Sequence, residues 1–175
     1  MEMVHSGVKR ISRLDLIRGR FKGEVKTPRP PWARAESFFL ESCNKCGDCL
    51  PACPSSIVRI SDDGFPTIDF SRGECTFCGD CVEACEPGAL LKKEDTAPWV
   101  PTAHITSACL SYSGVTCRVC GEHCDARALE FQLIVGGPAR PSITLQNCTG
   151  CGACVKPCPV AAIQIIPEAP KEINA

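Results

Sequence analysis

The chain has 175 residues, 19 Lys and Arg against 20 Asp and Glu for a net charge of −1, only 6% aromatic residues, and 16 cysteines. So neutral a balance supplies no whole-chain attraction to nucleic acid or an anionic membrane. The apolar runs, such as Val160 to Ile163 and Ile165-Ile166, are far too short for a transmembrane segment. Disulfide scaffolds are typically short and exported, whereas the first ten residues here lack the apolar stretch that export needs, so a cytoplasmic address with reduced thiols is expected.

Residues 1–34 read as a basic N-terminal arm and Pro-rich linker, with nine basic against three acidic residues (+6), which leaves ten basic against seventeen acidic (−7) from residue 35 onward. Ile11, Leu14, Ile17 and Phe21 recur at helical spacing among Arg10, Arg13, Arg18, Arg20 and Lys22, and Gly19 and Gly23 limit the helix. Such an arm reads as a solvated tail or as a docking helix that presents Arg13, Arg18 and Arg20 to a partner, with contact to nucleic acid or an anionic membrane a weaker third reading, since isolated basic runs are poor evidence for it. Pro28, Pro30 and Pro31 before Trp32 predict a stiff, extended lead into the body.

The body is organised by cysteine. Cys43, Cys46, Cys49 and Cys53 come first, then Cys75, Cys78, Cys81 and Cys85, and at the end Cys148, Cys151, Cys154 and Cys158; all three sets read C-x2-C-x2-C-x3-C. The remaining set, Cys109, Cys117, Cys120 and Cys124, has its first cysteine displaced upstream. Tandem x2 spacing lets three thiolates hold one 4Fe-4S cluster while the fourth reaches the neighbouring one. Zinc also takes four thiolates, but usually from separated C-x2-C pairs.

Crossed ligation predicts four clusters: Cys43, Cys46, Cys49 with Cys85; Cys75, Cys78, Cys81 with Cys53; Cys148, Cys151, Cys154 with Cys124; and Cys109, Cys117, Cys120 with Cys158. The last set requires the loop from Leu110 to Thr116 to fold back. Were it to fail, a three-iron or open-coordinated cluster would follow.

Cys46, Cys49 and Cys53 shift by 71 residues onto Cys117, Cys120 and Cys124, and the second set shifts by 73 onto the last, so the chain is a duplication. The expected fold is α+β: two tandem bacterial dicluster ferredoxin-like halves, 35–97 and 98–168, with short antiparallel ribbons and short helices around the clusters, and a tail at 169–175. Strands are predicted over 57–60 and 65–69, and again over 129–135 and 142–145 with a turn through 136–141. The x3 stretches predict short helical turns. Gly47, Gly79, Gly114 or Gly121, Gly150 and Gly152 lie in the ligand loops, where they permit positive φ and close approach of amides to sulfur. His123 is expected to be an exposed loop residue, since every cluster already has four cysteines. Neither a hydrolytic triad nor a phosphate loop is present, and one-electron transfer is the chemistry available.

Ser12-Arg13, Arg18-Gly19-Arg20, Arg29-Pro30-Pro31-Trp32, Phe39-Leu40 ahead of the first motif, and Cys109-Leu110-Ser111-Tyr112 with its displaced cysteine together resemble the NapF family, ferredoxin-type accessory proteins of periplasmic nitrate reductase. The resemblance runs from about residue 12 to residue 166. It departs in lacking a proline directly after Cys85 and Cys124, but proline is not a ligand. The resemblance implies a cytoplasmic accessory or maturation factor, not an enzyme. It would bind the molybdenum-containing catalytic subunit of the reductase before export, and act by electron transfer or by helping to install that subunit's cluster, with a redox donor as a further partner. The alternative is a general polyferredoxin electron-transfer subunit that delivers electrons to a redox partner.

Overall fold

The computed structural model of the protein describes residues 28–93, 98–99 and 101–167. The predicted arm helix with Arg13, Arg18 and Arg20 lies outside the described residues, as does the tail. Helix α1 (Glu36–Ser42) leads to strands β1 (Val58–Ile60) and β2 (Pro66–Ile68) and helix α2 (Asp80–Glu83). Then come β3 (Pro101–Ile105), α3 (Val119–Glu122), β4 (Leu129–Ile134), β5 (Gly137–Ile143) and β6 (Ile163–Pro167). The strands make three antiparallel two-stranded ribbons, β1-β2, β3-β6 and β4-β5.

The first ribbon pairs Val58 with Ile68 and Ile60 with Pro66 around a turn in which Ser61 N–H donates to Phe65 O at 2.9 Å. Lys45, from the first cysteine loop, closes that turn by donating to Asp63 O at 2.8 Å and resting 4.1 Å from the Phe65 ring centroid. In the second half the turn is tighter than the residues suggested. β5 already starts at Gly137, because Gly136 adopts φ +75 and carries the reversal almost alone. Pro138 and Pro141 are tolerated because each strand of a two-stranded ribbon has a free edge where no N–H is needed.

No local feature of the sequence predicts the β3-β6 ribbon: it joins residues 58 to 64 positions apart, Thr102 to Ile166 through Ile105 to Ile163, and ties the start of the second half to its end. A single bridge does the same for the first half. Ala33 pairs with Leu90, Arg34 N–H donates to Ala89 O at 3.1 Å, and Leu91 N–H donates to Trp32 O at 2.9 Å.

The proline stretch is docked onto the body. Pro28, Pro30, Pro31 and Trp32 are buried, and Pro28 O accepts from Ile68 N–H at 2.9 Å. Arg29 makes a two-pronged pair with Glu36, 2.8 and 3.3 Å, and stacks 4.9 Å from the Phe39 ring centroid and 5.3 Å from that of Phe65. One apolar core runs through both halves, from Phe39, Ile57, Ile68 and Phe70 to Ala103, Ile163 and Ile165, and includes the thiols of Cys49, Cys81 and Cys154.

Candidate metal centres

Helix α1 ends by delivering the first ligand candidate: Cys43 N–H closes on Phe39 O at 2.9 Å, and the fully buried Phe39 anchors the helix. The loops that follow repeat one backbone pattern. Lys45 (φ 62), Phe77 (φ 55) and Gly150 (φ 70) occupy the same place between the first and second cysteines, and the residue after the second cysteine, Gly79 (φ 94) in one set and Gly152 (φ 82) in another, is left-handed too. Such conformations turn successive amides to the inside of the loop, a concave donor surface suited to an anionic sulfur cluster.

Three residues after each fourth cysteine the chain is left-handed again, at Ser56, Gly88, Arg127 and Ala161. In three of the four sets the reversal brings an amide back to the thiol. Leu90 N–H donates to Cys85 Sγ at 3.4 Å, Ala128 N–H to Cys124 Sγ at 3.3 Å and Ala162 N–H to Cys158 Sγ at 3.2 Å.

The displaced set is built differently. Between Cys117 and Cys120 there is no left-handed residue, and α3 begins at Val119. The excursion from Cys109 folds into a compact loop, with Tyr112 N–H donating to Cys109 O at 3.0 Å, Val115 N–H to Leu110 O at 2.9 Å and Gly114 left-handed. Buried Ser111 pins it by donating to Cys117 O at 3.0 Å. Gly121 serves for space here, since a Cβ would lie 2.5 Å from the Phe131 ring. His123 is exposed at the end of α3.

The structure brings the cysteines together in four sets. Cavities of about 350, 360 and 370 Å³, mouths included, are lined respectively by Cys53 with Cys75, Cys78 and Cys81; by Cys124 with Cys148, Cys151 and Cys154; and by Cys158 with Cys109, Cys117 and Cys120. Cys49 has Cys85, Cys43 and Cys46 as its electrostatic neighbours, and this set, the first in chain order, completes the four. Four thiolates on one zinc would sit ~3.8 Å from one another, given Zn–S bonds of about 2.3 Å in a tetrahedron. Among the described residues no three His, Cys, Asp or Glu side chains draw together around a single ion. Three of the four sets line a shared cavity, the kind of space a multi-iron group would fill.

Burial, followed by the neighbouring thiols, holds these groups neutral without metal. Burial pushes Cys81 up to about 12, with Cys75, Cys53, Cys78 and Cys49 adding to it, and pushes Cys154 up to about 12, with Cys151, Cys148 and Cys120 adding to it. Burial likewise raises Cys75 to about 11, partly offset by the Phe77 N–H, and Cys120 to about 11 with help from Cys109 and Cys117. Iron reverses this balance, because coordination stabilises the thiolate and releases its proton.

The neighbours also reveal the order of the sets. Cys49 of the first set acts on Cys81 of the second, Cys151 of the third acts on Cys75 of the second, and Cys120 of the fourth acts on Cys154 of the third. At the middle step the halves touch directly, with Cys75 N–H donating to Cys151 O at 2.8 Å. Trp99 braces the junction: its Nε1–H donates to Thr149 O at 3.2 Å while its ring meets Phe70 and Phe77 edge-on at 5.9 and 6.0 Å.

Residues 42–89 match the 4Fe-4S dicluster domain family and residues 141–164 the 4Fe-4S binding domain family. The chain is similar to the ferredoxin-type protein NapF of Haemophilus influenzae, 41% identical over 166 residues that cover 89% of this chain and 94% of that protein. To the ferredoxin-type protein NapF of Escherichia coli K12 it is 38% identical over 152 residues, covering 87% and 92%. It is also 36% identical over 168 residues to the methylamine utilization ferredoxin-type protein MauM of Methylorubrum extorquens, covering 84% and 76%. The matched families and the clustered cysteine motifs make this an iron-sulfur chain with multiple 4Fe-4S clusters. Among the described residues no helix is long and apolar enough to cross a membrane.

Proposed function

The chain belongs to the NapF family of ferredoxin-type proteins, and from that membership we propose a cytoplasmic accessory factor that engages the catalytic subunit of a periplasmic nitrate reductase before its export. The ligand sets in this reading are the four crossed ones, giving four clusters: Cys43, Cys46, Cys49, Cys85; Cys53, Cys75, Cys78, Cys81; Cys124, Cys148, Cys151, Cys154; and Cys109, Cys117, Cys120, Cys158. A 4Fe-4S cluster takes up and returns one electron at a time. The residues around it hold the thiolates, supply amide donors and exclude water. Residues 1–34 comprise the basic arm, with Arg13, Arg18 and Arg20 on the partner, and the Pro-rich linker, ahead of halves 35–97 and 98–168.

The observation that carries the reading is the unbroken order of the four sets through the Cys75–Cys151 contact, which supports a path from one end of the molecule to the other. The test is anaerobic mixing with the catalytic subunit in its cluster-free and cluster-containing forms, after iron, acid-labile sulfide and electron paramagnetic resonance have been measured. Selective binding of the cluster-free form, with recovery of its cluster or its reduction, is the expected result; equal indifference to both forms would remove the maturation role.

A second reading, a general electron-transfer subunit, is favoured by the likeness to MauM, a ferredoxin-type protein named for methylamine utilization. Fold and ligand sets are shared by both readings. Reduction of an unrelated redox partner at comparable rate would favour the second.

A further inference from the structure

Trp32 is at once strained, buried and unpaired. Its φ is +58, a conformation that a bulky side chain adopts only when its surroundings over-determine it. The residue is 7% exposed, and its indole Nε1–H is buried without a hydrogen-bond partner. Trp32 is among the residues that line the cavity of Cys53, Cys75, Cys78 and Cys81. Buried donors are almost always satisfied, so an unpartnered one on a residue that lines a cavity points to a group that fills the cavity.

The duplication supplies an internal control. Ala33 pairs with Leu90 as Ile105 pairs with Ile163, and Arg34 N–H donates to Ala89 O as Thr106 N–H donates to Ala162 O. That register makes His104 the counterpart of Trp32, and His104 sits exposed in the regular strand β3. The left-handed turn at Trp32 therefore sets an indole at a position where the second half has only the exposed His104. Lys92 holds its Nζ 5.0 Å from the indole centroid, and a cation on the ring face polarises the N–H further.

We propose that the Trp32 Nε1–H donates to a sulfur of the second 4Fe-4S centre and raises its reduction potential above that of the third centre, its counterpart in the other half. The inference rests on the crossed ligand sets proposed above. Hydrogen bonds to the sulfurs are among the main determinants of cluster potential. The added electron increases the negative charge on the sulfurs, so the donor stabilises the reduced form more than the oxidised one. No bond forms or breaks, and one electron enters the cluster from the reductant. The consequence is a step in potential at the junction of the halves, with electrons retained on the side of the first half.

The experiment is a dithionite titration of the wild-type protein and Trp32→Phe, followed by electron paramagnetic resonance, with iron and sulfide determined on the same samples. Phenylalanine keeps an aromatic ring in place and removes only the donor. The expected result is full iron content with one of the four potentials moved to a lower value. Full iron with all four potentials unmoved would overturn the inference.

Should Trp32→Phe lose iron, the Trp99→Phe protein labelled with ¹⁵N-tryptophan keeps Trp32 as its one labelled indole, since the chain has two tryptophans. Pulsed resonance of its reduced state then reads the ¹⁵N coupling directly: present, it supports the donor, and absent, it overturns it. Iron far below about sixteen per wild-type chain would count instead against the ligand sets.

Discussion

Gly152 sits under the ring of Phe70 with φ +82, and a Cβ there would stand well inside contact distance of the ring carbons. Phe70 is itself buried and braced by Trp99, so it has nowhere to yield. Gly152→Ala should therefore cost about 2–4 kcal/mol from overpacking and the left-handed backbone together, read as a lower thermal midpoint; an unchanged midpoint would show the junction to be loose. Arg29 fills a different role, joining Glu36, Pro66 O and the faces of Phe39 and Phe65 in one planar group. Lysine cannot reproduce that fork, so Arg29→Lys should destabilise nearly as much as Arg29→Ala, roughly 1–2 kcal/mol in chemical denaturation. At Cys109 the chemistry is compositional. Cys109→Ser should alter one cluster alone, seen as a loss of about one to four irons per chain or as a changed resonance signal from that cluster, and undiminished iron with an unchanged spectrum would take Cys109 out of the set.

Among the elements, the first ribbon was legible because a Ser-Asp-Asp-Gly turn separates two short β-prone runs, and the cysteine sets were legible because ligand spacing is written in consecutive residues. The β3-β6 ribbon was hidden. Nothing local in Pro101–Ile105 announces that its partner is Ile163–Pro167, since the pairing is imposed by the chain returning to its start once the fourth motif is complete. The docked proline stretch was hidden for a related reason: polyproline geometry is the same whether the segment spans solvent or packs, and only Ile68 and Glu36, distant in sequence, hold it down. The hidden ribbon carries weight, because Ile163 and Ile165 place two buried side chains in the shared core. Ile165→Ala should cost about 2–4 kcal/mol in a denaturant titration. Ile166→Ala, its partly exposed neighbour, should cost well under half as much, and equal losses would mean that β6 does not present its faces as described.

For the whole molecule the decisive quantity is how little apolar packing exists without iron. Three of the thirteen side chains in the continuous core are cysteines, two more are the alanines Ala89 and Ala103, and three cavities are lined by cysteines. Each half has about 65 residues, a size at which an apolar core alone is marginal, and its helices are too short to stand unaided. Ligand bonds from four widely separated stretches of chain therefore do what a larger core does elsewhere, and the crossed pattern makes each set depend on both motifs of its half. Through Phe70, Gly152, Trp99 and the Cys75–Cys151 contact, each half also leans on the other. Oxidative removal of iron with a chelator should then abolish most of the far-UV dichroism in one step and leave all sixteen thiols reactive after reduction, including the buried Cys49, Cys81 and Cys154. A native signal that survives, with those three thiols still protected, would mean that the protein packing is sufficient by itself. A loss in two separate steps would mean that the junction transmits little between the halves.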